Sequence, residues 1–515
     1  KSMKKRLGVM GIALVMCLFA GASSALAAQP QKGGSLVFGS VTEVASLDPH
    51  VYQGTAWKTI NLCLYNSLLG FDEKGRPTGA LAESWETPDA KTIVFHLRKG
   101  VKFHKGQAFT AADVKYSLER ILDAATGATL RSNLKGVNVT VVDDYTVKVE
   151  KDVPDVTLLS VLAMGETAIV SSEWMKTGPN VKIEANGTGP FVLMDNEPKV
   201  RVVVERNADY FEKDLPHLDK IEFRMIKNGD ARVNALKTGA VDVIDTVPWK
   251  DIDILKAQQG LVVDVEDGEF MNLWLNATQK PLDDPRVRQA IAYAIDRQAI
   301  SEAAFFGYGT PLYGPPTIAG SWYYNEALNN TFKRDVEKAK QLLAEAGHGD
   351  GFELELLTYH GLQIYTITAQ IVQANLKEVG IDVKIKLSEW AAVVENKNKG
   401  TYDFLVYGVT IKSPDPDVYS YYFGSESTYW AKPIGFMDAK IEDLLQKGRA
   451  TTDTDARKQI YRELEKRVLE LTPWVHINWR ANCHAFKDKV KDYVHLGGAL
   501  AESYPSLKYT WLAGN

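Results

Sequence analysis

The side chains of this chain best suited to chemistry would hold a solute rather than transform one. Trp249, Trp274, Trp322, Trp390 and Tyr407 could each lay a ring face on a solute ring or a sugar. Thr188 sits in the Gly-rich turn Asn186-Gly-Thr-Gly-Pro-Phe191, where a hydroxyl and backbone N–H groups could be offered together. Glu43 and Ala45 follow the first strand and could add polar contacts. His360 and His476 stand singly, without the tight His/Cys spacing that a metal needs. No G-x-S-x-G, H-E-x-x-H or phosphate-loop pattern occurs, and carboxylates on solvated faces account for the plentiful acids. The residue types therefore favour recognition without a cofactor. Turnover of a candidate substrate, loss of affinity on chelation, or activity in a folding assay would revive an enzyme, a metal receptor or a chaperone.

The elements that must position these residues are clearest between Phe352 and Tyr407. Phe352, Leu354 and Leu356 alternate as a strand, and Ile371, Val372, Leu376 and Val379 mark a helix that Gly380 ends. Ile381, Val383, Ile385 and Leu387 alternate again, then a short helical stretch over 389–398 leads to a strand at 402–407. Strand, helix, strand, helix, strand is a parallel βαβαβ unit, and such sheets bind ligands beyond the carboxyl ends of their strands. Trp390 and Tyr407 follow the second and third strands, where a cleft is expected. Elsewhere, Asp284-Pro285 opens a helix with an N-cap and Pro at N1. Its apolar face is Val287, Ile291, Ala294 and Ile295. Val336, Ala339, Leu342, Leu343 and Ala346 form a second such face, stopped by Gly347. Val137–Val142 and Thr146–Val149 read as a hairpin through Asp143-Asp144. Residues 474–479 read as a strand after Pro473.

A chain of 515 residues is too long for one core, so two or three domains are expected. Lys4-Lys5-Arg6, the apolar run Leu7–Ala20 and Ala25-Leu26-Ala27 have the form of a secretory signal peptide over 1–27, too short an apolar run for a membrane span. Met16 before Cys17 argues against a lipid anchor. Cleavage removes four cations and no acids, taking the net charge from −5 to −9 and arguing against nucleic-acid binding. Cys63 and Cys483 remain, as a disulfide or as two buried thiols.

Leu81 to Arg120 reads LAESWETPDAKTIVFHLRKGVKFHKGQAFTAADVKYSLER. With Gly187-Thr-Gly-Pro-Phe191, Asn276, Pro281–Arg297, Lys338–Gly347, Asp415-Pro-Asp417, Asp438 and Asp443-Leu-Leu445, it resembles the family 5 bacterial extracellular solute-binding proteins, the peptide/nickel/opine-type receptors of ABC importers. The resemblance spans essentially the whole mature chain. It implies an α/β, two-lobed, type II-like periplasmic-binding-protein fold (a Venus flytrap) with a subdomain inserted in lobe I. Lobe I would hold 28–75, 191–272 and 481–515, the insertion 76–190 and lobe II 277–476, with hinge strands at 273–276 and 477–480. His96 and His104 would then be framework residues of the insertion. It further implies a periplasmic monomer that closes on a small solute and delivers it to a membrane permease and its ATPase.

The solute is where the chain departs from the family. Peptide-binding relatives hold the ligand's α-amino group with an aspartate just before the segment matching Asp415-Pro416-Asp417; Lys412 stands at that place. Dipeptide-binding relatives carry an arginine for the peptide carboxylate in the turn that here reads Thr358-Tyr359-His360-Gly361. Two readings follow. A peptide could bind in another frame with Asp415 as amine partner. Alternatively a non-peptide solute (an opine, a modified amino acid, a sugar, an organic acid or a metal complex) could place a carboxylate or phosphate on Lys412. The expected pocket is therefore Glu43, Ala45, Thr188, Trp249, Trp274, Tyr359, His360, Trp390, Tyr407, Lys412 and Asp415.

Overall fold

The computed structural model describes residues 29–41, 44, 46–51, 55–411, 413–425, 427 and 431–514. The signal segment with Cys17, and the expected pocket residues Glu43, Ala45 and Lys412, lie outside the described residues.

Ten strands form one mixed sheet that runs through both lobes. In chain order they are β1 (Ser35–Ser40), β2 (Phe191–Glu197), β3 (Arg201–Arg206), β4 (Lys220–Met225), β5 (Val243–Ile244), β6 (Leu261–Leu275), β7 (Phe352–Tyr359), β8 (Ile381–Ser388), β9 (Phe404–Val409) and β10 (Trp474–Lys487). Their spatial order is β8-β7-β9-β6-β10-β5-β1-β4-β3-β2. At one end β7 pairs parallel with both β8 and β9, as the alternation over 352–407 requires. At the other end β1 lies parallel to β4 and β5. The long antiparallel strands β6 and β10, 15 and 14 residues, join the two ends.

The ladder between β6 and β10 breaks where it crosses. Asp267 pairs with Ala481 and Phe270 with Trp479, so β6 carries one residue more across the Gly268-Glu269 bulge. A second shift follows at Met271/Asn272. Bulges bend a strand and re-aim its side chains. Gly268 suits the place because a Cβ there would stand 3.0 Å from the Asn482 Cβ and 3.1 Å from the Arg480 carbonyl oxygen.

Each part has its own core. In the lobe carrying β7–β9, helices Pro285–Ala294, Val336–Glu345 and Gln363–Glu378 lay Val287, Ile291, Leu343, Val372 and Leu376 against Leu356, Ile381 and Val406. Asp284 caps the first of these helices by accepting from Arg286 N at 2.8 Å. In the other lobe Leu36, Phe38, Trp57, Ile60, Ile221 and Phe223 pack together. Two strands of Leu81–Arg120 and the 137–151 hairpin form a separate four-stranded antiparallel sheet in the order Ala82–Asp89, Thr92–Leu97, Thr146–Lys151, Val137–Asp143. It is backed by helix Ala111–Leu122. Asp113 closes that helix's first turn by accepting from Thr110 N at 2.9 Å. Among the described residues, no helix is long and apolar enough to cross a membrane.

Cys63 and Cys483 are free, buried thiols, and burial raises both above the ordinary thiol range. The disulfide alternative is thereby corrected.

Candidate functional site

A cleft of about 600 Å³ opens where β6 and β10 cross between the lobes. Its floor is the bulge itself, Gly268-Glu269 on one strand and Arg480–Cys483 on the other. The β1–β5 lobe contributes Lys58, Arg232, Trp249 and Lys250; the opposite lobe contributes Phe306, Thr410 and Ile411. Trp249 is held by donating from Nε1 to the Ala481 carbonyl at 3.0 Å, with its ring 5.3 Å from that of Phe305. The structure therefore places Trp249, among the residues singled out from sequence, in the cleft wall.

Among the described residues, the wall presents four basic side chains and one carboxylate, Glu269. Three of the bases have acidic partners outside the lining: Lys58 with Glu166 at 3.3 Å, Lys250 with Asp230 at 2.7 Å, and Arg232 with Asp245 at 3.8 Å. Burial lowers the Arg232 pKa, and carbonyls of Asp245, Ile226 and Thr246 satisfy its guanidinium at 3.1, 2.7 and 2.6 Å. The fourth base, Arg480, is ion-paired through Nη1 to Glu269, whose other oxygen accepts from Thr410 Oγ1 at 3.0 Å. A second cavity of about 340 Å³ shares Ile411 and Ala499 with the first and takes in Tyr323, Ser413, Pro414 and Leu500. Both sequence neighbours of Lys412 thus line solute-sized space. A third cavity, about 30 Å³ beside Phe38, Asp245 and His484, has room for about one water.

The other aromatics form a stack inside the β7–β9 lobe. Trp474 lies on Trp274 at 5.0 Å and 7°, Trp274 meets Tyr407 at 4.6 Å, and Tyr407 lies on Trp390 at 5.1 Å and 26°. Lys397, wholly buried, sits 5.5 and 5.7 Å from the Trp274 and Tyr407 ring centres, and burial brings its pKa down to about 8. Trp274 and Tyr407 are core residues, which corrects their expected place in the pocket. Trp390, 38% exposed, ends the stack beside Tyr359 at 5.6 Å. Neither lines the 600 Å³ cleft, nor does Tyr365, whose ring meets both. A Cβ on Gly408 would lie 3.0 Å from Tyr365 Oη and 3.4 Å from Arg480 Nη1, so the glycine leaves room for both. His360 is exposed and pairs with Glu389 at 3.0 Å. Trp322 packs near the Arg457 guanidinium at 5.6 Å.

Two further expectations are corrected. Asp415 is buried and already neutralised: Arg457 donates to its two oxygens at 2.7 and 2.6 Å, Asp417 N at 2.8 Å and Ser160 Oγ at 3.2 Å. It has no capacity left for a solute amine. Thr188 is buried and donates to Asn66 Oδ1 at 3.2 Å. Its neighbours Gly187 and Gly189 lie so close to the end of helix Thr55–Leu64 that a Cβ would come within 2.0 and 2.4 Å of the carbonyl oxygens of Leu64 and Cys63. That turn is structural. His104 likewise belongs to the framework, bonded to the Gly189 carbonyl at 3.0 Å, with its pKa lowered to about 4 by burial. Glu269, Arg480, Lys58 and Tyr365 were not anticipated. The available signal was Glu269 and Arg480, acid and base at corresponding ends of two segments, 269–275 and 474–480, that carry no other Asp, Glu, Lys or Arg.

The family model of the bacterial extracellular solute-binding proteins, family 5, matches residues 76–430. The chain belongs to this family. Over 484 residues the receptor is 30% identical to di/tripeptide-binding protein 3 of Pseudomonas aeruginosa, covering 86% of this chain and 89% of that one. It is also 30% identical over 474 residues to the glutathione-binding protein GsiB of Salmonella choleraesuis, covering 88% and 91%. Among solved structures it resembles the periplasmic binding protein AgaA of A. tumefaciens R10 in complex with agropinic acid. The TM-score is 0.77 and the identity 38%, over 94% of this chain and 99% of that one. The receptor is thus the two-lobed solute-binding component of an ABC importer.

Proposed function

We propose that this receptor captures a small, carboxylate-bearing solute of peptide-like or opine-like chemistry in the cleft over β6 and β10. The observation that carries the reading is the cleft lining, where among the described residues four basic side chains, Lys58, Arg232, Lys250 and Arg480, stand with the carboxylate of Glu269. Guanidinium and ammonium groups in such a lining can give a solute carboxylate charge-assisted hydrogen bonds. The relatives agree in kind, since peptides and glutathione carry carboxylates and agropinic acid is named as an acid. Lys412 fits the same chemistry, standing in sequence between the lining residues Ile411 and Ser413. Solute bridging the lobes would favour the closed form, and its differential affinity for that form sets how far the population shifts. The bulged crossing of β6 and β10 is the natural hinge, with lobe I at 28–75, 191–272 and 481–515, the insertion at 76–190, and lobe II at 277–476. The closed receptor would act in the periplasm as a monomer, after cleavage behind Ala27, and hand its solute to the permease.

Native mass spectrometry of protein purified without denaturation tests this. The expected result is a retained mass corresponding to an organic acid, lost in part on Lys412→Ala. A retained solute without an acidic group refutes the reading.

A further inference from the structure

We propose that Glu269 is an internal stand-in for the solute's carboxylate, and that capture proceeds by exchange at Arg480. This rests on the carboxylate reading of the cleft and adds the atom at which the acid is received. Arg480 differs from the other three bases of the wall in one respect. The acidic partners described for them stand outside the lining, whereas its partner lines the cavity. Glu269 uses one oxygen on Nη1, and Arg480 Nε, itself buried, has no hydrogen-bond partner among the described residues. A guanidinium gripped through a single nitrogen keeps donors for a two-pronged carboxylate. The Glu269 side chain is 44% exposed, so it can turn to water when displaced, while Arg480, 24% exposed, is held more closely.

The position gives the exchange a consequence. Glu269 lies in the β6 bulge, Arg480 lies on β10, and Thr410 follows β9 in the opposite lobe. A solute acid that takes Arg480 from Glu269 also leaves the Thr410 hydroxyl free to turn to the solute. The residues released and engaged are those at the crossing about which the lobes would rotate.

The test is titration calorimetry on the full mature chain, stripped of solute by unfolding and refolding. The probes are glutathione, agropinic acid and a dipeptide. In the bound pair, Arg480→Gln should weaken affinity about tenfold or more, the worth of a charge-assisted hydrogen bond. Glu269→Gln removes the competitor and should tighten affinity, since a binding-competent state that is only partly populated reduces the apparent affinity. The melting temperature of each solute-free variant shows that it folds. Weaker binding by Glu269→Gln overturns the exchange and makes Glu269 a direct partner of a solute donor. Unchanged affinity in both variants overturns it too, while leaving the carboxylate cleft standing. A wild-type chain that binds none of the three acids overturns the cleft reading and the exchange together.

Discussion

Replacing Asp415 by Ala should unfold helix Thr454–Leu471 locally before it affects any solute. The side chains of Asp415 and Arg457 are 6% and 8% exposed and meet through two bonds of 2.7 and 2.6 Å. Burial works against the Arg457 charge, yet Asp415 holds its pKa above the ordinary arginine value. Removing one partner of such a pair leaves the other charge buried and uncompensated, at a cost of about 3–5 kcal/mol. The substitution also strips the acceptor from Asp417 N and from Ser160 Oγ. The measurement is native-state hydrogen exchange on the amides of Thr454–Leu471. A loss of about 3–5 kcal/mol corresponds to protection falling on the order of a hundredfold to several thousandfold. Exchange is preferred to a single denaturation midpoint because a multi-lobed chain need not unfold in one step. Unchanged protection together with lost solute binding would refute the buried-pair argument and restore Asp415 as a solute contact.

The aromatic stack predicts a split between neighbours. Trp274→Ala, wholly buried against Trp474 and Tyr407, should cost about 3–5 kcal/mol. Trp390→Ala at the exposed end should cost only about 0.5–1.5 kcal/mol of stacking with Tyr407. Thermal melts of the two variants decide it, and equal losses would mean that Trp390 is core. Acid should destabilise the receptor through histidines kept neutral by burial: His50, His104 and His495 have pKa values lowered to about 4, and His476 to about 3. Folded values below the unfolded one, about 6.5, mean that the unfolded chain binds more protons between them. Stability from these groups is therefore complete above about pH 6.5 and is lost as the pH falls towards 4. Urea melts at pH 7.5 and pH 5 should show the loss, and identical midpoints would contradict the burial argument.

What could be read from sequence was whatever repeats within one element. The alternation of Phe352, Leu354 and Leu356 and of Ile381, Val383 and Ile385 gave strands that pair in parallel, because side chains two apart share a face wherever the strand lies. The crossing strands were harder. Only 273–276 and 474–480 were expected as strands there, whereas β6 and β10 extend over 261–275 and 474–487. Their outer parts carry Asp264, Glu266, Asp267, Asn482 and His484, polar residues that interrupt the apolar pattern. Pocket membership was least legible, because it depends on partners far along the chain. Trp274 is core because Tyr407 and Trp474 cover it, and Asp415 is structural because Arg457, 42 residues on, neutralises it. Glu269 and Arg480 meet across 211 residues only because a one-residue bulge turns both into the cleft. The same long reach is what makes that pair suited to reporting a solute. Two side chains brought together only by the crossing of the strands will lose their mutual geometry when the crossing angle changes.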